Sequence, residues 1–283
     1  MLEVEKLSVK ELLNKWRFAA KQIGQTAIDI DWFFCRKFDY SCLSDLYFNE
    51  DKFLDKRFVC ELEFDLKRLI EGCPLEYVLG ECFFDGEWIQ VHSSTLIPRQ
   101  ETEELLRHIP WGHIPYDGRY LDLGCGSGCL ALSMKKIMSN AIVCASDICS
   151  LALDVAHRNA KLLLRDIIFR EGSWFSPWEG ELFDLIVSNP PYLGEEEWIN
   201  IDRSVKDFEP KKALVSGATG LEHLTIILQQ AQSYLVKRGH LVLEIGYLQC
   251  KEVERIARRF GWFSVKSQRD SFGKDRFLIL SCD

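Results

Sequence analysis

The sequence predicts an α/β protein: a mostly parallel sheet with helices on both faces and an antiparallel strand at its end, preceded by a small helical segment and a β-hairpin. Three observations predict it. From Arg119 onward, strand-length apolar runs alternate with helical patterns, as parallel strands joined by crossover helices require. Before residue 73 the apolar residues recur only at helical spacing. Between the two, Asp85-Gly86 separates two strand-like runs, and an Asp-Gly pair suits a type I′ turn, which needs positive φ at both central positions.

The elements follow in order. Ser8 and Glu11 form a capping-box pattern ahead of Leu12, Leu13, Trp16, Ala19, Ala20 and Ile23. A second helix carries Phe58, Leu62, Leu66, Leu69 and Ile70 and is ended by Gly72 and Pro74. The hairpin is expected over 77–84 and 87–91, as a connector between two domains. Strands are expected over 119–123, 141–147, 166–170, 183–188 and 240–246. Helices are expected over 151–164, 221–237 (ended by Gly239) and 250–260 (ended by Gly261). Two last strands, 263–268 and 276–281, are close enough to pair as a hairpin, which makes the final strand antiparallel. The expected division is residues 1–72, 73–118 and 119–283.

Composition narrows the function classes. The 283 residues are 47% hydrophobic and 28% charged, enough for a sizeable core. No apolar run reaches membrane-spanning length, and the first residues are charged where a secretory leader is apolar, so a cytoplasmic protein without membrane association is expected. The eleven cysteines form no CxxC pair or zinc-spaced cluster and read as buried thiols. The net charge of -8, with 12 Lys/Arg against 14 Asp/Glu in residues 1–72, argues against a nucleic-acid grip.

Two constellations carry the chemistry. In Tyr120-Leu-Asp-Leu-Gly-Cys-Gly-Ser-Gly128 a strand runs into Gly124, Cys125, Gly126, Ser127 and Gly128, and a helix follows. Such glycines let the backbone turn sharply and approach a ligand closely. Asp147 ends the next strand, placed to accept hydrogen bonds from two ribose hydroxyls. In Asp184-Leu-Ile-Val-Ser-Asn-Pro-Pro-Tyr192 a buried strand delivers Asn189, Pro190, Pro191 and Tyr192 at its carboxyl end, where ligands bind in open α/β sheets. An amide or exocyclic amine nitrogen is a poor nucleophile. The Asn189 side-chain carbonyl and the Pro190 backbone carbonyl can accept from such an NH2 and stabilise its growing positive charge; Tyr192 can stack on the planar group.

These residues resemble the class I methyltransferases that use S-adenosylmethionine on nitrogen. The flanking motifs Pro74-Leu-Glu-Tyr-Val-Leu-Gly80, Leu96-Ile-Pro-Arg-Gln-Glu-Thr-Glu103, Phe208-Glu-Pro210 and Leu243-Glu-Ile-Gly-Tyr247 narrow the resemblance to the HemK/PrmC family, the peptide-chain-release-factor glutamine N5-methyltransferases. The resemblance covers residues 74–283; the helical N-terminus matches by length and class. It implies a Rossmann-like catalytic domain on a seven-stranded sheet and an N-terminal helical domain that helps hold a release factor. The implied cofactor is S-adenosylmethionine, on Gly124 to Gly128, Asp147, Trp174 and Asn189. The implied target is the glutamine of a Gly-Gly-Gln motif, held by Asn189 to Tyr192, with Asn189, Pro190 and Tyr192 carrying catalysis. Direct nucleic-acid binding and a metal are not expected. The alternatives are glutamine methylation of a ribosomal protein, adenine N6 methylation of nucleic acid, and a non-catalytic binding protein. Three residues depart from the family pattern: Gln100 stands where proline is common, Ser173 where Asp or Glu precedes the Trp-Phe pair, and Cys125 where Thr is frequent. Arg99 and Glu101 are expected at the rim of the site, and Glu244 is given no catalytic role.

Overall fold

The computed structural model describes residues 6–24 and 26–282, which fall into two compact units: the described residues up to Gly80 together with Arg203–Phe208, and Glu81–Asp202 together with the described residues from Glu209 onward.

The first unit holds a two-residue strand pair, β1 (Leu7–Ser8) with β2 (Phe53–Leu54), and helices α1 (Val9–Gln22), α2 (Ile28–Lys37), α3 (Leu43–Phe48), α4 (Lys56–Ile70) and α5 (Leu75–Leu79). The capping box forms as its sequence requires: the Ser8 hydroxyl accepts the Glu11 N–H at 3.2 Å, and the Glu11 carboxylate accepts the Ser8 N–H at 2.8 Å. Asp55 caps α4 by accepting the Phe58 N–H at 3.0 Å. Leu12, Leu13, Phe33, Phe34, Leu46, Leu62 and Leu66 are buried between the helices. One expectation changes: Tyr77 to Leu79 belong to α5, not to a strand. Pro74 presets the helical entry, and Gly80, in the left-handed region at φ +77°, closes the turn with its N–H on the Glu76 carbonyl at 2.7 Å.

The second unit begins with the hairpin, β3 (Glu81–Phe84) and β4 (Glu87–Gln90). Its turn residues Asp85 and Gly86 both take positive φ, +48° and +80°. Then come α6 (Gln100–His108), β5 (Arg119–Leu123), α7 (Cys129–Ile137), β6 (Ile142–Asp147), α8 (Ser150–Leu162), β7 (Ile168–Glu171) and β8 (Phe183–Ser188). After short α9 (Glu195–Ile199), and α10 (Arg203–Phe208) in the first unit, the chain adds α11 (Glu222–Gln230), β9 (Leu235–Glu244), α12 (Cys250–Arg259), β10 (Ser264–Arg269) and β11 (Asp275–Ser281). Seven strands form one sheet in the order β10-β11-β9-β8-β5-β6-β7; β5 to β9 run parallel, and β11 is antiparallel to both β9 and β10.

Alternation along each strand feeds two cores. Tyr120, Leu185, Val187 and Val242 pack with Leu105, Leu106, Leu130 and Ala156 on one face, whereas Leu121, Leu123, Ile186 and Leu241 pack with Phe175, Trp178, Leu224 and Val253 on the other. Burial on both sides is why these strands read as nearly continuous apolar runs. The helix expected over 221–237 is an α-helix to Gln230 and a 3-10 turn over Ala231–Tyr234, and β9 starts at Leu235. Leu235 is buried beside Phe183, and the register then slips from Phe183↔Leu235 to Leu185↔His240 around Arg238, whose φ is +64°.

The order β8-β5-β6 places the carboxyl ends of three strands side by side. The Ser188 hydroxyl donates to the Leu123 carbonyl at 2.7 Å and ties two of those tips together. Asn159 of α8 ties in the hairpin: it exchanges hydrogen bonds with the Gln90 backbone at 2.7 and 2.9 Å and donates to the Ser127 carbonyl at 2.9 Å.

Candidate active site

A cavity of about 750 Å³ opens over these strand tips, a size ordinary for a small-molecule site. Its floor is the turn after β5. Gly124, Gly126 and Gly128 all take positive φ, at +71°, +55° and +82°. Gly124 faces the Trp174 ring, which a Cβ would meet at 3.6 Å, whereas a Cβ on Gly126 would meet nothing within 4 Å. The backbone is thereby laid open to the cavity at its centre. The Gly124 and Cys125 N–H groups donate to the Ser146 carbonyl, at 2.8 and 3.0 Å, and hold the turn against β6.

Asp147 ends β6 and reaches across this turn. One carboxylate oxygen accepts the Gly126 N–H and the other the Cys149 N–H, both at 2.9 Å. Burial raises its pKa, and those backbone donors pull it back. Each oxygen keeps a further lone pair for a ligand hydroxyl. Asp122, inside β5, is a second acid at the same floor. One oxygen accepts the Ala131 N–H at 3.0 Å; the other is buried without a partner, and burial pushes the group up to about 7. Trp174, held at φ +47°, and His223 form a tilted ring pair at 5.1 Å on the wall.

Asn189 follows β8 and lines the same cavity, as does Pro191. Its Nδ2 donates to the Thr102 hydroxyl at 2.9 Å, and that hydroxyl donates to the Glu244 carboxylate at 2.7 Å. Tyr192 donates to the other Glu244 oxygen at 3.2 Å. Glu244 is fully buried, and desolvation raises it to about 7 against the pull of Thr102, Arg276 and Tyr192. Burial, then the Glu244 charge, raises the Tyr192 phenol. Gln249 fixes the end of the segment by donating to the Tyr192 carbonyl at 2.7 Å.

The structure therefore gathers Gly124, Cys125, Gly126, Ser127, Asp147, Trp174, Asn189 and Pro191 around one cavity. Gly128, Pro190 and Tyr192 are not among its lining residues. Gly128 is the cap of α7, where a Cβ would stand 3.1 Å from Ala156, and Tyr192 is partly buried against the apolar core that includes Leu243 and Ile245. Arg99 pairs with buried Glu209, whose other oxygen accepts the Ile97 N–H at 3.2 Å, so the rim segments 97–99 and 209–213 are pinned together. Gln100 is the first residue of α6, where a proline would only preset φ, so this departure takes no contact from the cavity. Ser173 lines the wall next to Trp174.

Sequence reasoning passed over Thr102, Glu209 and the role of Glu244. A signal existed for two of them. Thr102 stands on the buried face of α6 with Leu105 and Leu106, and Glu244 interrupts the apolar run Leu241 to Ile245; a polar group at a core position needs a partner.

Comparison with known proteins places this geometry. The methyltransferase small domain family matches residues 98–203. The release factor glutamine methyltransferase of Enterococcus faecalis is 36% identical over 220 residues, 77% of this chain and 79% of the relative. That of Francisella tularensis is 35% identical over 234 residues, 82% of both chains, and that of Vibrio cholerae 38% over 231 residues, 81% of this chain and 80% of the relative. The chain belongs to the release factor glutamine methyltransferase family. It is accordingly an enzyme, a methyltransferase with the Rossmann-like seven-stranded sheet expected from its sequence. Among solved structures, a methyltransferase from Pyrococcus furiosus shares the fold with a TM-score of 0.53 at 18% identity, covering 80% of this chain and 98% of the other. The human Mettl16 catalytic domain, solved with an RNA hairpin, does so with a TM-score of 0.56 at 16% identity, covering 68% and 74%. Among the described residues no helix is long and apolar enough to cross a membrane.

Proposed function

We propose that this chain transfers a methyl group from S-adenosylmethionine to the side-chain N5 of the glutamine in the Gly-Gly-Gln motif of a peptide chain release factor. The observation that carries the reading is that Asn189 lines the same cavity as the glycine turn and Asp147. A nitrogen held at Asn189 thus has a neighbouring place for a nucleoside-bearing methyl donor.

The residues fit that donor. The Asp147 carboxylate suits a ribose diol, the Trp174 ring suits a flat base, and the partnerless oxygen of Asp122 suits a cationic group nearby. When bound, S-adenosylmethionine supplies an electrophilic methyl on a sulfonium sulfur. Asn189 accepts a hydrogen bond from the target amide through Oδ1 and orients the nitrogen; the Pro190 carbonyl is the second acceptor. As the N–C bond forms and the C–S bond breaks, these oxygens stabilise the positive charge growing on nitrogen, which then releases one proton. The helical unit helps hold the release factor. Its exposed aromatic side chains Phe18, Phe48, Phe53 and Phe64 are of the kind that protein partners cover.

The test is mass spectrometry of a release factor after incubation with enzyme and labelled cofactor, with a ribosomal protein and an adenine-containing oligonucleotide in parallel. Label on the Gly-Gly-Gln glutamine, lost in Asn189→Ala with cofactor binding kept, is the expected result. Label only on the oligonucleotide, or an unimpaired Asn189→Ala enzyme, refutes the reading.

A further inference from the structure

We infer that Thr102 and Glu244 are positioning residues that fix which end of the Asn189 amide meets the substrate, an inference that rests on the role proposed for Asn189. An asparagine side chain can present either its carbonyl or its NH2 to a ligand, and the two ends have nearly the same shape. Only the carbonyl can accept a hydrogen bond from a glutamine NH2. An inward-facing Asn NH2 would oppose donor to donor and leave the target nitrogen without an acceptor.

The chain of hydrogen bonds decides the orientation. Glu244 is buried, and as a carboxylate it has no proton to donate. Its two oxygens take one donor each, the Thr102 hydroxyl at 2.7 Å and the Tyr192 hydroxyl at 3.2 Å. Thr102 has a single proton, and that proton is committed to Glu244. Its oxygen can then only accept from Asn189, so Nδ2 is drawn to Thr102, at 2.9 Å, and Oδ1 is left as the end free for a substrate. The orientation is thus imposed by residues in α6 and β9, far from Asn189 in sequence and joined to it only by the fold. Because the same carboxylate receives Tyr192, it anchors both ends of the Asn189-Pro-Pro-Tyr192 segment.

Neither residue touches the methyl group in this scheme, so their loss reads out in turnover and not in cofactor affinity. The experiment uses full-length enzyme with a purified release factor, measuring kcat, KM, cofactor Kd and Tm for Thr102→Val, Thr102→Ser, Glu244→Gln and Asn189→Ala. Thr102→Val keeps the shape and removes the hydroxyl. Glu244→Gln keeps the shape but has one acceptor oxygen for two hydroxyl donors, and with its NH2 toward Thr102 it turns the Thr102 proton toward Asn189. Both are expected to lower kcat by about 100-fold, the loss typical of a misplaced reacting group, with cofactor Kd within about threefold of wild type. Thr102→Ser is expected to restore most of the turnover lost in Thr102→Val. If Asn189→Ala is inactive while Thr102→Val and Glu244→Gln turn over within about threefold of wild type, the orienting chain is wrong and the role of Asn189 stands. If Asn189→Ala is itself active, that role falls and this inference with it. Parallel loss of turnover, cofactor binding and Tm in both isosteric variants would mark a merely structural pair and also overturn the inference.

Discussion

The substitution Asp147→Asn tests how the glycine turn and the acid at the end of β6 work together. The native carboxylate has two tasks: one oxygen accepts the Gly126 N–H and the other the Cys149 N–H, each at 2.9 Å, while both keep lone pairs toward the cavity. The substituted amide would retain one oxygen and set an NH2 against one of those two backbone donors. It also loses the charge, and a hydrogen bond to a charged group contributes about 1.5–3 kcal/mol against about 1 kcal/mol for a neutral one. With two ribose hydroxyls affected, the loss is about 2–3 kcal/mol, which converts to about 30- to 150-fold in Kd. Isothermal titration with S-adenosylmethionine measures it directly, and steady-state kinetics should show the cofactor KM rising by a similar factor with kcat changed little. A cofactor Kd within about threefold of wild type, in a protein of unchanged Tm, would mean that Asp147 serves the turn alone and that the cofactor lies elsewhere.

Two further perturbations probe the Asn189 side of the cavity. Gly220→Ala forces a side chain onto a backbone at φ +79° and sets its Cβ 2.4 Å from the Tyr192 carbonyl and 2.9 Å from the Gln249 amide. Strain and overpacking together cost about 2–4 kcal/mol, so calorimetry should show Tm lower by roughly 5–15 °C, and kcat should fall as the Asn189-Pro-Pro-Tyr192 segment shifts; an unchanged Tm would refute the close approach. Turnover at saturating cofactor should also decline as pH falls through about 7, the value to which burial raises Glu244, whose surroundings are Thr102 and Glu101 from α6, Tyr192 after β8 and Arg276 from β11. The sign follows from the donor count: protonated Glu244 can donate to Thr102 and release its proton toward Asn189. Asp122 titrates in the same range, so the diagnostic is the residual activity of Glu244→Gln, which should lack the Glu244 limb; an identical acid limb in both enzymes would assign it to another group.

The sequence by itself determined the local parts, because their physics is local. A capping box needs only Ser8 and Glu11, a type I′ turn only Asp85-Gly86, and the turn after β5 only glycines where φ must be positive. Asp147 and Asn189 were legible for a related reason: each ends an apolar strand, and the strand ends of a parallel sheet face the ligand side. Element edges were less legible where packing overrode pattern. Tyr77 to Leu79 joined a helix because Pro74 and Gly80 frame one, and Leu235 joined a strand because it packs beside Phe183.

Only the tertiary structure decided how the site is held. Thr102, Asn189 and Glu244 come from α6, the segment after β8 and β9, with 87 and 142 residues separating the bonded pairs, and no sequence spacing relates them. Sheet order brings β8 next to both β5 and β9, and that adjacency places the glycine turn on one side of Asn189 and the buried carboxylate on the other. A hydrogen bond acts over about 3 Å, so its partners are chosen by whatever the folded chain sets side by side.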